Sequence, residues 1–234
     1  MSEAYLSIIG HSFLNPIVLL WKKLEERQPV PPNDVQTNQV ENGLSVAIIL
    51  LTFAMVESFL SRTRHVMSGR KTYDFNSGKS RHIVDFFKEK FQDSGLLDKL
   101  IELNAIRDVI MHNHVWDAYI NETEKGLTHA LPPVLNNRLY GGKRFKTIFV
   151  KKTLTSRTLE LNLFPTKIWR EDARRVLKTA YEILDYLETQ DRNYCVVSWI
   201  RVTHKNKYME LPEFINRISG TFKEPIVPMA ELAE

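Results

Sequence analysis

A mainly helical fold is what this sequence predicts, and three observations carry it. Residues 43–60, GLSVAIILLTFAMVESFL, form an apolar run too long for a strand. Residues 169–187 place apolar side chains at spacings of three and four, the period of a helix with one buried face. Runs of alternating, strand-like character are short and few.

Taken in order, the first helix is expected over Ala4 to Arg27, with Pro16 as a break or kink near its middle. QPVPPNDVQTNQ, residues 28–39, is a polar, proline-punctuated linker. The long apolar helix follows from Glu41 to Met67. A glycine-containing loop, 68–80, leads to Ser80, the expected N-cap of a helix with Ile83, Val84, Phe86, Phe87 and Phe91 on its apolar face. Ser94 is expected to cap the next helix. It runs through Leu97, Leu100, Leu103, Ile106, Val109 and Trp116 to about Ile120. The period then changes: RFKTIFVKKT and RTLELNLF, around Leu154-Thr155-Ser156, predict a β-hairpin. Thr166 is the expected cap of the helix whose stripe is Trp169, Ala173, Val176, Leu177, Ala180, Tyr181, Leu184 and Leu187, and Glu171 and Asp172 suit its dipole. A strand within YCVVSWIRV and a short helix from Leu211 to Ile218 complete the chain, which has no internal repeat.

At 234 residues a single domain is the expectation. A net charge of +4 leans only mildly toward an anionic partner. One cysteine, Cys195, excludes an internal disulfide and a thiolate zinc cluster, in keeping with a reducing cytosol. The apolar N-terminal stretch carries its lysines after the apolar residues, the reverse of a secretory signal. Glu57, Ser45 and Thr52 interrupt the 43–60 run, which fits the central helix of a bundle better than a membrane span. The expectation is a cytoplasmic protein with no membrane contact.

NAIRDVIMHNHVW, residues 104–116, concentrates titratable groups on an apolar helix. On a helix His112 and His114 point to nearly opposite sides and cannot share one ion, so no metal site and no cofactor is expected. Arg107 and His114 would lie almost in line, and Asp108 one turn from His112 could orient its imidazole. An arginine that grips phosphate beside an imidazole base suffices for metal-free attack of an RNA 2′-hydroxyl on its neighbouring phosphate.

RDVIMH resembles the Arg-polar-x-x-x-His signature of the HEPN superfamily, with Arg107, Asp108 and His112 at the signature places; Asn is the commoner second residue there. The resemblance spans about residues 41–190 and includes an apolar helix with an internal glutamate, Glu57. It implies a HEPN-like helical bundle with an inserted β-hairpin, flanked by the N-terminal helix 4–27 and a C-terminal extension 191–234. It also implies a homodimeric, metal-independent endoribonuclease with an RNA substrate and no cofactor. A toxin or antiphage role, with an antitoxin or defence-system partner, follows by the same analogy. Glu57 is either a buried partner of Arg107 or an edge residue in water. His114 is either a third site residue or a surface or interface histidine. Val115 and Trp116 are candidates for the apolar surface a second copy would cover.

No acidic residue occurs between Lys125 and Leu159. Arg138, Lys143, Arg144, Lys146, Lys151, Lys152 and Arg157 make that stretch a positive ribbon, with Tyr140 and Phe145 available to stack on bases. A hairpin kept soluble by its lysines would look the same.

Overall fold

Pro16 falls in the first turn of the first described helix, and residues 4–9, where that helix was expected to begin, lie outside the described residues. A 3-10 turn, Gly10–Phe13, leads into α1, Leu14–Glu25, and in a first turn the missing N–H of a proline costs nothing. The computed structural model describes residues 10–33, 35–69, 82–112, 116–123, 126–135 and 147–220. α1 buries Ile17, Val18, Trp21 and Leu24 as one stripe.

The linker behind α1 is pinned rather than loose. Asn33 accepts the N–H groups of Val35 and Gln36 at 2.9 and 2.8 Å, and Val35 is buried. Asn38 then caps α2, Gln39–Met67, accepting from Val40 and Glu41. α2 is the axis of the fold, packed by α1 and by each of the long helices that follow. Among the described residues it is the one helix long and apolar enough to cross a membrane, and half of that stretch is buried inside this fold.

His82 caps α3, Ile83–Phe91, whose five expected apolar residues are all buried; Ser80 lies outside the described residues. A 3-10 turn and Gly95, at φ +70°, redirect the chain into α4, Leu97–Met111. Here the structure corrects the expected helix. It ends at Met111, not Ile120: His112 leaves the helical region (φ −125°, ψ 87°), and β1, Trp116–Thr123, pairs antiparallel with β2, Gly126–Leu135. Trp116 supplies one cause, because its indole packs on Phe149 and Phe164 and donates to the Leu163 carbonyl. The β1–β2 hairpin was not among the expected elements. Pro132 and Pro133 sit in β2, which a two-stranded sheet permits because each strand has an open edge.

The hairpin that was expected shrinks to β3, Phe149–Val150, and β4, Thr155–Ser156. Residues 157–164 do not form its return strand, although Asn162 bridges to Thr155. Glu102 of α4, itself buried, accepts the Ser156 hydroxyl and the N–H groups of Thr158 and Leu159, each at 2.7 Å. Donors that a ladder would need are thereby bound to a helix.

Thr166 does not cap α5, Arg170–Gln190. Asp172 does this by accepting the Trp169 N–H at 3.0 Å, while Thr166 donates to Val35 and takes the Thr37 N–H at 2.9 Å, stitching the linker to the bundle. The expected stripe of α5 is buried except for Trp169 and Tyr181, which are half-buried. The expected strand at 194–202 is displaced: β5, Arg201–His204, pairs with β6, Lys207–Glu210, before α6, Leu211–Gly220. One apolar cluster runs from Leu14 to Ile218, so the N-terminal helix and the C-terminal extension share the core of the central segment.

Candidate functional site

The C-terminal half of α4 holds a closed triangle of polar side chains. Arg107 Nη1 lies 2.8 Å from Asp108 Oδ1, Arg107 Nη2 donates to Asn104 Oδ1 at 3.2 Å, and Asn104 Nδ2 donates to Asp108 Oδ2 at 3.1 Å. Helical spacings of three and four bring these residues together. The Arg107 guanidinium also lies 4.7 Å from the centre of the Phe53 ring on α2, a cation–π contact that fixes its plane. Its Nε is buried without a hydrogen-bond partner. Arg107 and Asp108 each keep about a quarter of their side-chain surface, 26% and 25%, in contact with solvent.

His112 follows directly. It is half-buried, caps the C-terminus of α4, and donates its backbone N–H to the Asp108 carbonyl at 3.0 Å. The Asp108 carboxylate, expected to steer the His112 ring, gives one oxygen to Arg107 and the other to Asn104. Because α4 ends at Met111, the helical alignment of Arg107 with His114 loses its basis, and His114 lies outside the described residues. Glu57 is exposed on α2 and takes the edge position; Asp108, not Glu57, pairs with Arg107. Trp116 is committed to its own chain, and Val115 lies outside the described residues. Among the described residues, Met111 at the end of α4 and Tyr119 and Ile120 on β1 are large apolar side chains left exposed.

Of the positive ribbon, Lys151 and Lys152 stand exposed on the turn between β3 and β4, with Arg157 exposed just beyond. Lys125, Arg138, Tyr140, Lys143, Arg144, Phe145 and Lys146 lie outside the described residues. Among the described residues no three of His, Cys, Asp and Glu gather closely enough to hold a metal ion.

Sequence reasoning missed Asn104, which helical spacing from Arg107 and Asp108 could have found. It also missed the groove beside the ribbon. About 450 Å³ in volume, this opens between the β3–β4 turn and the first turn of α5. Asp172 is buried at its floor, and burial pushes its carboxyl up to about 6 against the opposing pull of the Asn162 and Trp169 donors. Elsewhere, burial pushes the Cys195 thiol well up, which removes it from nucleophilic chemistry. Glu25 accepts from Trp21 and pairs with His204 and Lys205; burial would raise it, but those two partners hold it below the usual carboxylate range.

No family model, no curated protein and no solved structure matches this chain.

Proposed function

We propose that this chain is a metal-independent endoribonuclease of HEPN type. The observation that supports it most is the Asn104–Arg107–Asp108 triangle: a guanidinium held in one orientation, still open to solvent, one turn before a half-buried histidine. In this mechanism the neutral imidazole of His112 takes the proton of an RNA 2′-hydroxyl. The freed oxygen attacks the adjacent phosphorus, and Arg107 stabilises the charge that develops on the phosphoryl oxygens. The departing 5′-oxygen needs a proton, and Arg107 is too basic to supply it. A second copy, related by a two-fold axis beside the motif, would bring another His112 as the acid. The exposed Met111, Tyr119 and Ile120 offer that copy apolar surface to cover. The products are a 2′,3′-cyclic phosphate and a 5′-hydroxyl.

One observation favours a second reading. Asp108 already neutralises part of the Arg107 charge, as suits a module that holds RNA without cutting it. Incubation with mixed RNA in EDTA, followed by end-group analysis, separates the two. Cleavage with the named ends supports the nuclease, while His112→Ala and Arg107→Ala should each lower it at least about a hundredfold in proteins that keep their helical circular dichroism. Binding without cleavage supports the module. Sedimentation at twice the 27.3 kDa chain mass is expected. A monomer that cleaves at full rate refutes the paired site.

A further inference from the structure

The described part of the positive ribbon borders a groove that the cleavage chemistry does not use. One wall is Trp169, half-buried at the start of α5. Among the described residues no aromatic or cationic neighbour is stacked on its indole, which borders the groove. The opposite wall carries the Thr153 and Thr155 hydroxyls, 2.7 Å apart. Asn162 gives its Nδ2 to Asp172, which leaves its amide oxygen as an acceptor. Acidic groups in the groove are already engaged: Glu171 by Arg174 and Arg175, and Glu160 by Arg175. The cations at the rim are not. Arg157, Lys151 and Lys152 have no ion-pair partner among the described residues. The charge left over is therefore positive and lies at the mouth, while the interior offers a stacking face and hydrogen-bonding groups.

That division matches a nucleotide, whose base is flat and neutral and whose phosphates are anionic. The volume is that of a small-ligand site. We propose that the groove takes one unpaired nucleotide of single-stranded RNA, its base against Trp169 and its phosphates toward Arg157 and the Lys151–Lys152 turn. A paired base could not enter, so the groove would select single strands. The inference rests on RNA being the ligand of this chain, and not on the cleavage step.

The test uses full-length protein carrying His112→Ala, so that no RNA is consumed. Oligouridylate, oligoadenylate, an abasic ribose-phosphate oligomer of equal charge, and the free mononucleotides UMP and AMP are titrated against it. The oligonucleotides should bind more tightly than the abasic chain. Trp169→Leu should weaken them about five- to hundredfold, the loss expected of one stacked base, and Trp169→Phe much less. Replacing Arg157, Lys151 and Lys152 together by alanine should flatten the slope of log K against log salt by about 2. Equal affinity for abasic and base-bearing chains overturns the proposal, and that comparison needs no change in the groove. So does an unchanged affinity in a folded Trp169→Leu protein, and so does tight binding of mononucleotides without binding of oligomers. Cleavage without Trp169-dependent binding defeats this inference alone; Trp169-dependent binding without cleavage defeats the nuclease alone.

Discussion

Asp172 makes the stability of this protein depend on pH in a direction opposite to that of an ordinary paired carboxylate. Burial lifts its pKa from 3.8 to about 6, outweighing the Asn162 and Trp169 donors and the Arg175 charge. A raised pKa means the folded state holds the proton more tightly than the unfolded chain. The stabilisation is therefore fully present below 3.8 and lost as pH rises through 6. At about 1.4 kcal/mol per pKa unit the whole effect is about 3 kcal/mol, of which about 2 kcal/mol falls between roughly pH 4.5 and pH 7.5. Asp172→Asn removes the titration while keeping the shape. Its amide meets the same donors at a roughly constant cost, so the informative quantity is the difference between the two proteins across pH. Carboxylates held low, Glu25 and Glu188, pull the other way but are common to both proteins and cancel. Urea unfolding followed by circular dichroism should show the asparagine protein gaining about 2 kcal/mol on the native one over that range. Parallel profiles, or a gain by the native protein, would refute the reasoning.

Two further perturbations probe the frame. Glu41 and Arg170 form a buried bidentate pair at 2.5 and 2.6 Å, so Glu41→Ala removes the carboxylate from a buried guanidinium and should cost about 3–5 kcal/mol in urea unfolding. Replacing both by Leu and Met should recover most of that, and a loss below about 1 kcal/mol in the single variant would show the cation rehydrated. At Gly10 an added Cβ would lie 2.7 Å from a ring carbon of the buried Phe59. Gly10→Ala should therefore cost about 1–3 kcal/mol, read as a lowered melting temperature, and an unchanged one would mean the ring moves aside freely.

The helices were legible where a long apolar period recurred. α2, α3, α5 and α6 follow their patterns because each must bury one stripe, and the stripe is written in the spacing. What the spacing lacks is the far partner. Thr166 has the sequence position of a cap, yet its hydroxyl donates to the Val35 carbonyl, 131 residues earlier in the chain. Alternation after β4 predicts a return strand, but Glu102 captures its donors from 56 and 57 residues away. The end of α4 is not legible in the sequence because apolar residues on both sides of His112 satisfy a helical period, while Trp116 has its own ring partners downstream. At the site, Arg107, Asp108 and His112 were visible as a motif. Their arrangement was not, since Phe53 and Asn104 decide where the guanidinium points. The groove was invisible for the same reason, its walls being brought together only by the fold.

The pairing of α2 with α5 also sets a timetable. Glu41 leaves the ribosome 129 residues ahead of Arg170. At about 5–20 residues per second, that interval lasts on the order of ten seconds. During it the most apolar segment of the chain has been made and the helix that covers it has not. α1 can fold back on α2 early, because the two are joined by a short linker, and this shields one flank. The other flank waits with an unneutralised carboxylate at its base. Birth order, as much as final energy, therefore makes this helix the place where a newborn chain is most exposed to wrong company.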